Sequence, residues 1–403
     1  MGVDHMSGRK NTGHDTRKPI RARRTTTIFD AASWRERIEN QTALVRVGRR
    51  LVTRGFGLWA LLSSMFTRRL GWYPRVEPYV GYGTEGYSRL ICRTVLAPER
   101  REAGVLMRGI RGMLAVPAPH TQVRIRVDER PLETVQVGVS EVYDEVDPSK
   151  DRPSSFAISD DAGYLDLVAE HHLQPGKHQV SYSVRRRRDV TAPLFTIPST
   201  VQVGIISDVD DTIMITQAPT LWKAAYNLLL LNPRKRAAVP GMSVLFSKIA
   251  DLFPDAPFFY LSTSPWNVET SIRHFITYQG YPEGPLLLRD LDPRPKSFIP
   301  SGVQHKLEFA EQLMADFPHM RFILIGDDGQ KDPTTYATIA KRYPGRVLCI
   351  GIRQLTPRES PMMPHLAGVT TTQPMPVTDV PVFTGTTGSN LMKTMLPYLR
   401  HNA

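Results

Sequence analysis

The stretch "VGIISDVDDTIMIT", residues 203–216, sets an apolar run against three carboxylates within four positions. Carboxylates that close repel one another, and burial raises their pKa further. The stretch therefore reads either as a solvated acidic turn after a strand, or as a strand end whose charge is balanced by basic groups or a cation. Its surroundings decide between the two. Apolar runs "VQVGIIS" (201–207), "PFFYLS" (257–262), "RFILIG" (321–326) and "RVLCIG" (346–351) alternate with helical patterns at 243–253, 265–278, 304–316 and 334–342. Buried strands separated by helices imply an α/β domain with a parallel sheet. Ligands of such open sheets bind beyond the carboxyl ends of the strands.

Three of those ends carry polar clusters: "DVDDT" at 208–212, "STSPWN" at 262–267 and "DDGQKDP" at 327–333. Between the last two, "HKLEFAEQL" places Lys306 near a helix start. Three strands delivering such groups to one edge imply an anion- or metal-binding crevice, which displaces the acidic-turn reading. Asp208 ends its strand, and Asp210, two residues on in an extended segment, projects to the same face.

Taken in order, these motifs resemble the haloacid dehalogenase superfamily. "ISDVDDT", "YLSTSPWN", "LRD" at 288–290 and "IGDDGQKDP" resemble its actin-patch-protein type of phosphatidate phosphatase. The resemblance covers roughly residues 200–355 well and the preceding region more loosely. It implies a Rossmann-like parallel sheet and Mg²⁺-dependent hydrolysis of phosphatidate to diacylglycerol and phosphate through an aspartyl-phosphate. By the same resemblance Asp208 is the nucleophile. Asp210 protonates the leaving alkoxide and then deprotonates the attacking water. Thr212 braces the loop and, with Ser262 and Ser264, belongs to the substrate-binding set that faces the phosphoryl group, and Lys306 offsets negative charge. Asp327 holds Mg²⁺ together with Asp208 and the backbone carbonyl of Asp210, while Asp332 supports or joins that shell. Hard oxygen ligands suit Mg²⁺, and no His or Cys competes within these motifs. The chain departs from the family at Asp328, where Ser is commoner, and at Thr334, where Glu is commoner.

The rest of the chain is organised around this unit. Residues 1–30 read as a disordered basic arm, 31–75 as an amphipathic helical region, 76–199 as a small antiparallel β domain, 200–357 as the catalytic α/β domain, and 358–403 as a tail. Short alternating runs such as "QVRIRV" and "ETVQVGV" carry the β reading. A short helix is expected at "SNLMKTMLPYL" within the tail. The segment 216–241 stands where superfamily members carry a cap. Its Leu228–Leu231 run and its basic residues Arg234, Lys235 and Arg236 would suit an acyl chain and an anionic headgroup, or an ordinary cap helix against the core.

The net charge of +12 favours a polyanionic partner. No zinc-finger spacing, RNA-recognition signature or basic heptad region accompanies it, so nucleic acid is not expected. An anionic membrane surface is. Arginines bracket the apolar segment "GFGLWALLSSMF" at 55–66, which suits a helix lying in a membrane interface or one packed on the next domain. At that length it is too short to span a bilayer. The basic start lacks the apolar region of a secretion signal. Two cysteines, Cys92 and Cys349, make neither a disulfide framework nor a zinc site. The expected location is the cytoplasm, with peripheral contact at the inner membrane surface. Two other functions stay open at this point: hydrolysis of a soluble phosphate ester, and a membrane-binding scaffold.

Overall fold

The computed structural model describes residues 58, 61–98, 116–118, 120–137, 155–159, 163–170, 172–185, 187–215, 237–289, 302–329, 331–356 and 376–402. The arm at 1–30, most of the helical region and nearly all of the cap segment lie outside them.

Ten strands form the first sheet: β1 (Tyr73–Pro78), β2 (Gly81–Thr84), β3 (Tyr87–Ala97), β4 (Val116–Pro117), β5 (Thr121–Val127), β6 (Arg130–Val137), β7 (Ser155–Ser159), β8 (Tyr164–Glu170), β9 (Gly176–Val184) and β10 (Val190–Ile197). Pairing is antiparallel except between β10 and β2. In β5 buried and more exposed residues alternate, which follows from the two-residue period of a half-buried strand. The β5–β6 hairpin turns on Asp128 and Glu129, both at positive φ (46° and 63°). Positive φ at both central residues gives a turn whose twist matches that of the strands.

The second sheet is parallel throughout, in the order β13-β12-β11-β14-β15-β16. Its chain order is β11 (Val203–Asp208), α1 (Met242–Leu252), β12 (Phe258–Pro265), a 3₁₀ turn at Trp266–Val268, α2 (Glu269–Tyr278), β13 (Leu286–Arg289), α3 (Gly302–Asp316), β14 (Arg321–Asp327), α4 (Asp332–Arg342), β15 (Val347–Arg353), β16 (Val382–Gly385) and α5 (Gly388–His401). β11 and β15 are buried along their whole length, as strands covered on both faces must be. One face packs against Phe246, Phe275, Leu391 and Met395 from α1, α2 and α5. The other packs against Leu313, Met314, Tyr336 and Ile339 from α3 and α4.

The chain builds outward from β11 through β12 to β13, then returns to β14 on the other side. That reversal makes the carboxyl edge of β11 and β14 the switch point, where a crevice opens. Residues 382–401, expected as part of a tail, add the edge strand β16 and the helix α5, whose Leu391, Met395 and Leu399 are buried. The two sheets also touch. Tyr79 stacks on Trp266 at 5.0 Å, Tyr82 meets Phe259 edge-on at 5.9 Å, and the Arg89 guanidinium lies over the Phe309 ring.

Candidate active site

Asp208 is the last residue of β11 and is 1% exposed. Asp327 ends the neighbouring β14, and Asp332 opens α4 five residues later. Oxygens of these three carboxylates lie within 4.8 Å of one another. Lys306, on α3 and 2% exposed, reaches into the group, with Nζ 2.7 Å from Asp208 Oδ1 and 2.5 Å from Asp332 Oδ1. Thr212 donates its hydroxyl to Asp208 Oδ2 at 3.2 Å, with Asp327 Oδ2 at 3.5 Å. The Gly329 N–H donates to Asp327 Oδ1 and the Asp327 N–H to Asp332 Oδ2. Gly326 is required here: a Cβ on it would fall 2.4 Å from Asp332 Oδ2.

Asp210 sits apart from that cluster. Its Oδ2 accepts from Ser262 Oγ at 2.7 Å and from Ser264 Oγ at 3.2 Å, both hydroxyls standing on β12. The Ser264 N–H in turn donates to Ser262 Oγ. The two serines, expected to face a phosphoryl group, therefore hold the carboxylate of Asp210. Asp328 turns away from the cluster: its Oδ1 accepts from the Leu355 N–H.

The electrostatics follow from three buried acids sharing one lysine. Burial pushes the Asp208 carboxyl well above the usual carboxylate range; Lys306 opposes this, and Asp332, Asp327 and Asp210 add to it. Burial, then Asp332, pushes Asp327 up to about 8 against the pull of Lys306. Burial also raises Asp210, with the Ser262 and Ser264 hydroxyls opposing it. For Lys306 burial disfavours the charge, but Asp208, Asp332 and Asp327 outweigh it and hold the ammonium ionised. One more positive charge would relieve this crowding.

Two residues not singled out in the sequence matter here. Arg353, buried at the end of β15, donates from Nη1 to the Asp211 carbonyl at 2.6 Å. Asp211 has φ of 57°, so the arginine braces a left-handed turn in the loop between Asp210 and Thr212. The only sequence signal was a charged residue closing an otherwise apolar strand. Glu269, fully buried at the start of α2, lies beside the contact between the two sheets and had no signal at all.

The fold and site define a parallel α/β domain with a buried acidic centre at its switch point. Residues 203–354 match the family model described as "Phosphatidate phosphatase APP1, catalytic domain". The chain is 28% identical over 258 residues to phosphatidate phosphatase APP1 of Saccharomyces cerevisiae, covering 63% of this chain and 41% of that protein. It is 27% identical over 154 residues to an uncharacterized protein of Schizosaccharomyces pombe, covering 38% of this chain and 25% of that one. It thus spans less than half the length of either relative. Among solved structures, the first Ig domain of the mouse polymeric immunoglobulin receptor aligns with 30% of this chain and 94% of its own, at 11% identity and a TM-score of 0.18. A likeness that slight carries no argument.

Proposed function

We propose that this chain is a phosphomonoesterase of haloacid dehalogenase type that hydrolyses phosphatidate to diacylglycerol and phosphate. The observation that carries the reading is the pairing of buried Asp208 with Lys306 and Asp332, in a segment that matches the phosphatidate phosphatase family model. Asp208 Oδ attacks phosphorus, the bond to the alkoxide breaks, and an aspartyl-phosphate forms. Asp210, held on Ser262 and Ser264 with its pKa raised, gives its proton to the departing alkoxide. It then takes a proton from the water that attacks the aspartyl-phosphate, which frees phosphate and restores Asp208. Lys306 favours the ionised form of Asp208 against its burial and offsets the charge of the incoming phosphate. Thr212 fixes the Asp208 carboxylate, and Arg353 fixes the turn that carries Asp210.

The donor set fits a hard divalent cation, since Asp208, Asp327 and Asp332 are all buried oxygen donors with too little positive charge among them. Those three residues, with the Asp210 carbonyl, would hold Mg²⁺. When bound, Mg²⁺ neutralises charge on the phosphate and on the nucleophile. The two buried free thiols, Cys92 and Cys349, suit a reducing compartment such as the cytoplasm.

The test is phosphate release from phosphatidate in detergent mixed micelles, with Mg²⁺ or with EDTA, beside a soluble aryl phosphate. Mg²⁺-dependent release from phosphatidate, lost in Asp208→Asn, is the expected result. Release from the aryl phosphate alone would keep the Asp208 chemistry and overturn the lipid substrate. Release from neither would overturn the enzyme reading in favour of a scaffold.

A further inference from the structure

The helical residues 61–69 lie the wrong way round for a helix in water. Ser64 and Thr67 are buried, whereas Leu61, Leu62, Met65 and Phe66 are exposed, as are Leu58 before them and Leu70 after. Exposure of Phe66 reaches 64%, and only three other large hydrophobics among the described residues are comparably exposed outside this stretch. A contiguous exposed apolar face of this kind marks a surface that something else covers.

The helix is not a loose end. Its C-terminus closes with the Gly71 N–H on the Arg68 carbonyl and the Trp72 N–H on the Thr67 carbonyl, with Gly71 at φ 80°. That pair of bonds around a left-handed glycine is a Schellman motif, which fixes the exit of the chain. Trp72 then packs with Leu96, Val116 and Ala118, and β1 begins at Tyr73. The apolar face is thereby held at a set angle to the first sheet.

Charge lies beside it. The Arg187 guanidinium stacks on the Tyr73 ring at 3.6 Å, which brings the β9–β10 turn against the helix exit. Arg185 and Arg188 of that turn are exposed, and Arg69 stands on the helix itself. Asp189, the acid next to them, is engaged by Arg126 and Ser183. An exposed apolar face with cations near the helix exit matches a bilayer with anionic headgroups: the apolar side chains would enter the acyl boundary and the arginines reach phosphate. No helix among the described residues is long and apolar enough to cross a membrane.

We propose that residue 58 and residues 61–70, with Arg185 and Arg188, form a docking surface for an anionic lipid bilayer. This surface is built from residues other than those around Asp208, and the proposal does not depend on the chemistry there. Its test is sedimentation of the full chain with vesicles of phosphatidylcholine alone, or of phosphatidylcholine mixed with phosphatidylglycerol. Phosphatidylglycerol is a phosphodiester, so a phosphomonoesterase site does not supply the binding. The chain is expected to bind the mixed vesicles and to bind phosphatidylcholine weakly. Phe66→Ser should weaken binding about tenfold through lost apolar burial. Arg185→Ser and Arg188→Ser should each weaken it about fivefold, on the mixed vesicles only. All three side chains are exposed, so melting temperature and any aryl phosphate turnover should be unchanged. No binding to the mixed vesicles, or binding indifferent to these substitutions, overturns the proposal. Self-association without lipid that Phe66→Ser abolishes would assign the face to a second copy of the chain and overturn it equally.

Discussion

Lys306 lies between Asp208 and Asp332 with almost no access to water, and every acid of the site leans on that one charge. Removing the lone cation of a buried group of acids leaves those acids uncompensated, at a cost of about 3–5 kcal/mol. Lys306→Met is therefore expected to lower the unfolding free energy of the metal-free chain by that amount and to abolish turnover. Asp208→Asn should leave stability unchanged or raise it, because it removes one of the mutually repelling carboxylates. Denaturant titrations of both variants measure this, and a Lys306→Met cost below about 1 kcal/mol would contradict the charge balance described. Most of these residues were legible in the sequence because each closes or follows an apolar run. Asp208, Lys306, Asp327 and Asp332 meet as their positions imply. The partnership of Asp210 with the two serines was not legible, since spacing along the chain says nothing of which hydroxyl turns to which carboxylate. Arg353 was missed because one arginine after "VLCIGI" looks like an ordinary strand end.

At the level of elements, β11, β12, β14 and β15 stood out as apolar runs without alternation, the pattern of strands covered on both faces. The helix α5 was foreseen as a short one and runs from Gly388 to His401. Its partner β16 is only four residues long and half-buried, too brief for a periodic signal, so the chain beyond 357 read as a tail. The contact of β14 with α4 is tighter than any pattern reveals. At Gly326 a methyl group would meet Asp332 Oδ2 at 2.4 Å and the Tyr336 ring at 2.8 Å. Gly326→Ala is expected to push Asp332 off Lys306, to cost about 1–3 kcal/mol through overpacking, and to depress turnover. Calorimetry with a parallel phosphate-release assay checks this. Wild-type turnover with unchanged stability would show that the approach of α4 to β14 is not needed.

Across the whole molecule, the two sheets meet around Tyr79, Trp266 and Glu269. Glu269 is buried with Arg273 Nε at 3.3 Å and a hydrogen bond to the Val80 backbone, so it ties α2 to the chain just after β1. Burial, opposed by Arg273, raises its carboxyl from 4.5 to about 7. Between those values the folded chain keeps a proton on Glu269 that the unfolded chain releases, so the contribution of Glu269 to stability falls as pH rises from about 4.5 to about 7 and is then spent. At about 1.4 kcal/mol per pH unit the loss is at most about 3.5 kcal/mol. Glu269→Gln should make the fall of stability across that window shallower by this share, which unfolding curves would record; an unaltered slope would exclude Glu269 as a contributor. No sequence pattern announced this residue, because a glutamate opening a helix is ordinary until a second sheet covers it. The most direct measurement on the chemistry is chemical trapping of the aspartyl-phosphate. The chain is quenched during phosphatidate turnover, treated with borohydride, and the peptide carrying residue 208 is analysed by mass spectrometry. Reduction of Asp208 to homoserine, absent without substrate, is expected. Turnover with Asp208 untouched and another residue reduced, or none, would contradict nucleophilic attack by Asp208.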